Sequence, residues 1–213
     1  MVALTGWLGT WQSRRAEEKL ARQALLEQRL AETPVALTGS VPSAEPLLYR
    51  RVRVRGQWIP EGQIFIDNQV AAGRAGFHVV TPLRIEGVRE AVLVNRGWIA
   101  RTAAYPRAPD VPVPAGAVEV HGLASLPPRR VLELSSETIA GNVWQNLSIE
   151  RYGRLMPVLP VVVLAEPPAA GLQAVTEKPD AGVDKHREYA LTWYSLCVLA
   201  IVLWLALNTR RAR

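Results

Sequence analysis

The sequence predicts an α+β membrane protein. A small antiparallel β-sheet or β-barrel-like domain is bracketed by a truncated N-terminal membrane segment and a C-terminal transmembrane helix. Three observations predict this. Tyr189 to Leu207 (YALTWYSLCVLAIVLWLAL) is a run of 19 residues without a charge, and about 20 apolar residues cross a bilayer core as a helix. The middle of the chain is cut by Gly and Pro into short runs, several alternating apolar with polar, as half-buried strands do. The opening MVALTGWLGTW is apolar again.

The elements follow in order. Residues 1–12 form the N-terminal membrane segment. Eleven mostly apolar residues are too few to span, and there is neither a basic n-region nor an A-x-A site to mark a signal peptide. The segment is either the last half of a spanning helix or a short interfacial anchor. The small residues Gly6 and Gly9 and the aromatics Trp7 and Trp11 favour the first. Residues 13–33 (SRRAEEKLARQALLEQRLAE and after) set Ala16, Leu20, Ala24 and Leu30 among charges, which predicts an amphipathic helix continuous with the first segment and stopped by Thr33-Pro34.

Residues 34–187 are predicted to be an extracytoplasmic β-rich domain of about six short strands. Valines alternate with arginines from Arg51 to Arg55, giving a strand with a basic outer face. Pro60-Glu61-Gly62 turns into the strand QIFIDNQ, and Gly73-Arg74-Ala75-Gly76 bends before FHVVTPLRI. AVLVNRGWIA reads as a buried strand in which Gly97 allows a bulge or close packing. AVEVHGLAS, a short helix in NVWQNLSIERYGRL and the strand LPVVVLAE follow. The transmembrane helix occupies 188–208 and a basic tail 209–213. Lys178, Lys185 and Arg187 balance Arg210, Arg211 and Arg213 across it, so the positive-inside rule sets no orientation.

Composition excludes several functions. The chain has 213 residues and a net charge of +6. Its arginines are dispersed and form no zinc-finger, RNP or arginine-run pattern, so no nucleic acid is expected and a lipid bilayer or anionic partner accounts for the charge. Cys197 is the one cysteine, which excludes an intrachain dithiol copper or redox site. There is no Gly-x-Ser-x-Gly, His-Glu-x-x-His or Walker loop, so no catalytic residues are assigned and the protein is not expected to be an enzyme. Asp67 and Glu61 read as turn and strand-end residues. His78 and His121 lie in strand patterns without a second ligand at metal spacing and read as structural.

His186 is different. On a helix it shares a stripe with Tyr189 or Ala190, then Trp193, Cys197, Ala200 and Trp204. An imidazole at a membrane boundary is a reasonable axial ligand for a porphyrin iron. The residues alone lean the other way, to an interfacial belt of Tyr189, Trp193 and Tyr194 with His186 as an ordinary polar anchor.

Six segments together are similar to one family. They are LGTWQSRRAEEK (8–19), RVRVRG (51–56), GRAGFHVVTPLRI (73–85), VLVNRGWIA (92–100), NVWQ (142–145) and HREYALTWYSL (186–196). In this order the chain resembles a bacterial member of the Surfeit-locus cytochrome c oxidase assembly proteins, called Shy proteins in yeast. The resemblance implies two membrane helices around a periplasmic domain in the bacterial inner membrane, and a part in haem-copper oxidase maturation. It implies a haem a chaperone in which His186 ligates the iron, with Tyr189, Trp193 and Trp11 as candidate pocket residues and the Trp7 and Trp11 face of the first helix as the opposite wall. Cytochrome c oxidase subunit I and haem a synthase are the implied partners. The alternative is a cofactor-free membrane scaffold acting through Trp58, Trp98 and Arg96. The chain departs from the family pattern in having only Met1 to Trp7 before the Leu-Gly-x-Trp-Gln motif, and in placing its first acidic residue after Trp144 at Glu150.

Overall fold

The computed structural model describes residues 1–39, 41–127, 139–175 and 183–211. Lys178 and residues 212 and 213 of the basic tail lie outside them. The chain divides into two units. One comprises Met1–Gln28 with Lys178–Arg213, the other Arg29–Glu177.

The second unit is a single mixed sheet. Its strands are β1 (Val35–Ala36), β2 (Arg51–Trp58), β3 (Ile64–Ala71), β4 (Arg74–Ile85), β5 (Ala91–Ala100), β6 (Ala117–Ser125), β7 (Ile139–Ala140), β8 (Val143–Trp144) and β9 (Val158–Ala165), with a short helix α2 (Ile149–Gly153) before β9. The strand order is β1-β2-β6-β9-β5-β4-β3-β8-β7, and β2 pairs also with β4. Hydrogen bonding therefore runs through β2, β6, β9, β5 and β4 and returns to β2. Gly56 makes that return possible, because a Cβ there would fall on the Arg84 carbonyl at the β2–β4 crossing.

The expected antiparallel sheet is corrected to a mixed one. β9 lies parallel to β5 and antiparallel to β6, and β1–β2 and β3–β8 are also parallel. The reason is where β9 goes: it inserts between β5 and β6, and its run VLPVVVLA is apolar almost throughout, as strands covered on both faces are. Val52 and Val54, Leu83 and Ile85, Val92 and Val94, and Val161 and Val163 meet in the main core. The arginines between the β2 valines stay exposed, as the alternation predicts.

The Asn95-Arg96-Gly97-Trp98 run lies inside β5, in the buried strand that AVLVNRGWIA predicts. Val79 pairs with Gly97 and Val80 with Asn95, so Arg96 is the extra residue of a bulge. Before the bulge the even-numbered residues Val92 and Val94 face the main core. After it the odd-numbered Ile99 packs on the Phe65–Phe77–Val79 cluster. Arg96 is 4% exposed and Trp98 2% exposed, so neither serves as the surface anchor that a scaffold reading would give them. Arg96 donates to Gln63 Oε1 and to the Pro112 carbonyl, both at 2.9 Å, and its guanidinium lies 5.4 Å from the Trp58 ring centre. Trp98 Nε1 donates to the Gln69 carbonyl at 2.9 Å.

Elsewhere the polar residues serve the fold. Arg101 pairs with Asp67 at 2.7 Å, and Glu61 sits in the tight turn Pro60–Gly62. The predicted short helix is α2, capped by Ser148, whose hydroxyl accepts from the Arg151 N–H at 3.1 Å. It presents Tyr152, which donates to the Gly62 carbonyl at 2.6 Å and whose pKa burial pushes up to about 12.

His78 is half-buried between its strand partners Ile66 and Trp98. Burial lowers its pKa from 6.5 to about 4. As pH falls below 6.5 the unfolded chain takes the proton first, so stability is full above that pH, declines down to about 4 and is flat below. The whole loss is about 2–3 kcal/mol. Chemical denaturation across that window is expected to show the slope in the wild type and a flatter profile in His78→Gln.

Candidate functional site at the helix pair

The first unit contains two helices, α1 (Val2–Ala31) and α3 (Val183–Arg211). The stub and the amphipathic segment are one unbroken helix, α1, and it ends before Thr33-Pro34 as expected. Val183–Thr209, 27 residues, is long and apolar enough to cross a membrane, and it alone qualifies among the described residues. At 1.5 Å per residue it reaches about 40 Å, more than the roughly 30 Å of hydrocarbon.

The helices run antiparallel. Cys197 Sγ donates to the Val2 carbonyl at 3.5 Å, Tyr194 packs on Gly9, and His186 meets Gln12. Their approach depends on Gly9, where a Cβ would come within 2.6 Å of the Tyr194 ring. The Tyr194 hydroxyl lies 3.4 Å from both Thr10 Oγ1 and Ser13 Oγ. Small residues let the two backbones approach, and the hydroxyls find partners across the contact.

His186 is half-buried in the first turn of α3, and its Nδ1 lies 2.6 Å from Gln12 Oε1. That is its one hydrogen bond among the described residues, so Nε2 has no partner among them. The predicted stripe is resolved by exposure. Ala190 is 6% exposed whereas Tyr189 is 57% exposed, so the stripe runs from His186 through Ala190, Trp193, Cys197 and Ala200. Trp204 falls off it at 64%.

On α1 the residues that meet α3 include Gly9, Thr10, Gln12 and Ser13. Trp7 and Trp11 are exposed, and the Arg15 guanidinium lies over the Trp11 ring at 5.8 Å. The structure thus brings Trp193 to the same helix face as His186 and does not bring Tyr189, Trp7 or Trp11 to the contact. Gln12 was not among the predicted site residues. Its signal was the last letter of the Leu-Gly-x-Trp-Gln motif, four residues or one turn before Ala16 on the same face.

A mixed β-domain with a helix long and apolar enough to span a bilayer is consistent with a membrane-associated protein. The chain belongs to the SURF1 family, whose model matches residues 1–198. It is 27% identical over 225 residues to Surfeit locus protein 1 of Mus musculus, covering 96% of this chain and 72% of that protein. It is 25% identical to a SURF1-like protein of Monosiga brevicollis, covering 97% of this chain and 84% of that one. Against Surfeit locus protein 1 of Homo sapiens the identity is 26%, over 92% of this chain and 71% of that protein.

Proposed function

We propose that the protein is a membrane-bound assembly factor for haem-copper oxidase, binding haem a at His186 and assisting its insertion into the catalytic subunit. Membership of the SURF1 family supports the general reading. The observation that carries the specific one is the His186–Gln12 contact, which occupies Nδ1 and leaves Nε2 without a partner among the described residues. The donor set fits one axial position of a porphyrin iron, for which a neutral imidazole is a common ligand. Bound there, haem would supply an iron that accepts the Nε2 lone pair. Trp193 flanks the same face with an indole able to pack on a macrocycle. Among the described residues, His186 is the side chain that would hold the iron.

In this reading the helix pair holds the haem at the bilayer boundary, the β-domain lies on the periplasmic side of the bacterial inner membrane, and the exchange partners are cytochrome c oxidase subunit I and haem a synthase. The chain's own residues orient a ligand and shield it, and no bond-making step is assigned to them. The test is purification of the full chain from cells that make haem a. Wild type is expected to carry haem, and His186→Ala to lose most of it. Equal haem content and equal spectra in the two proteins would sink the ligand assignment.

A second reading, a cofactor-free scaffold, has one observation in its favour. Arg51 and Arg53 stand exposed along the outer face of β2, a basic strip suited to an acidic partner. It requires oxidase maturation to survive His186→Ala and to fail in Arg51→Glu with Arg53→Glu.

A further inference from the structure

We infer that Gln12 selects the tautomer of His186 and so prepares the imidazole as a ligand. This rests on the proposed role of His186, but its first consequence can be read without any haem. Gln12 Oε1 and His186 Nδ1 are 2.6 Å apart, joined across 174 residues of sequence. A carbonyl oxygen only accepts, so the hydrogen of this short contact sits on Nδ1. A neutral imidazole has one ring proton, and Nε2 is left with its lone pair free.

An imidazole left in water prefers the opposite form, with the proton on Nε2, which cannot bind a metal there. Gln12 therefore works against the intrinsic preference of the ring. It also fixes the ring plane, and an acceptor on the far N–H makes an imidazole a stronger donor to a metal. Gln12 is itself held in place by the contacts on either side of it, where Thr10 and Ser13 meet the Tyr194 hydroxyl. It is a positioning residue, acting through His186 and touching no bound group.

The test begins on the full chain in lipid nanodiscs, free of haem and at alkaline pH. Nitrogen NMR of isotope-labelled histidine separates protonated from unprotonated ring nitrogens. The chain has three histidines, and His186→Gln identifies which signal is His186. Wild type is expected to carry the proton on Nδ1. Gln12→Leu, which has no acceptor, should move it to Nε2, while Gln12→Glu, which has only acceptors, should keep it on Nδ1. A wild-type proton on Nε2, or a tautomer unchanged in Gln12→Leu, overturns the inference.

Titration with haemin is the second arm. Gln12→Leu is expected to bind about ten- to a hundredfold more weakly, the usual effect of losing such a supporting partner. Gln12→Glu should bind with a lowered reduction potential. Equal affinity of wild type and Gln12→Leu together with an equal potential in Gln12→Glu counts against the inference. If the tautomer responds to Gln12 but His186→Ala binds haemin like wild type, the haem reading falls and the control of the ring by Gln12 stands.

Discussion

Gly97→Val is expected to unfold the β-domain or leave it barely stable at ordinary temperature. Gly97 has a φ of +141°, a backbone state that a β-branched residue adopts only with strain. Space is refused as well. A Cβ at this position would meet the Leu172 Cβ at 2.6 Å and the Gln173 carbonyl oxygen at 2.8 Å. Neither is the loose end of a long side chain, since the segment is tied across β5. Ala169 donates to the Arg96 carbonyl, and Trp98 and Gln173 exchange a pair of bonds, each at 2.8 Å. Strain of about 1–3 kcal/mol adds to overpacking of similar size, so the loss is about 2–6 kcal/mol from a domain whose stability is typically about 5–15 kcal/mol. Denaturant titration of the two proteins measures it. Gly97→Ala should lose less than valine but more than Gly73→Ala, where a Cβ meets nothing within 4 Å although φ is likewise positive, at +74°. Equal losses at the two positions would mean that backbone strain alone is at work and that the packing of the 169–173 segment is irrelevant.

The same motif shows where the sequence was legible and where it was not. Strand β2 was readable because its valine–arginine alternation is local and its two faces differ in kind. The long uncharged run of α3 was readable because a bilayer imposes a length on composition. The bulge at Gly97 was half readable, since glycine in an apolar strand signals a bulge or a close approach. Arg96, by contrast, looked like a surface anchor. It is buried because the fold satisfies it from distant sequence, at Gln63 and Pro112, while its neighbour Asn95 accepts locally from the Gly97 N–H at 3.1 Å. The parallel pairing of β9 with β5 had no local signal, because the choice of neighbour is made by the whole sheet. In the helix unit the stripe on α3 was predicted by phase, but phase left Tyr189 and Ala190 as alternatives, and the exposure of each decides between them. The facing side of α1 was misjudged through its tryptophans. Small residues mark a close helix contact, so Gly9 and Ser13 were the better guide than Trp7 and Trp11.

Gly9→Leu should therefore separate the two helices and, with them, Gln12 from His186. Leucine is a better helix former than glycine by nearly 1 kcal/mol, so α1 alone gains from the change. Any loss must come from the contact, where even a Cβ would lie 2.6 Å from Cε1 of the Tyr194 ring. Tyr194 is part-exposed and its ring can swing aside, which makes Gly9→Ala tolerable. A full isobutyl group needs the space the ring occupies, and a displaced ring gives up its hydroxyl contacts to Thr10 and Ser13. The expected result is that Gly9→Leu lowers haemin binding as far as Gln12→Leu does, with helicity by circular dichroism unchanged or raised. Tyr194→Ala supplies the rescue. Removing the ring opens the space, so Gly9→Leu with Tyr194→Ala should bind better than Gly9→Leu alone, a coupling of the kind only touching residues show. Independent effects in that cycle would mean that Gly9 and Tyr194 do not pack on each other in the membrane, and the position of His186 beside Gln12 would then lose its structural support.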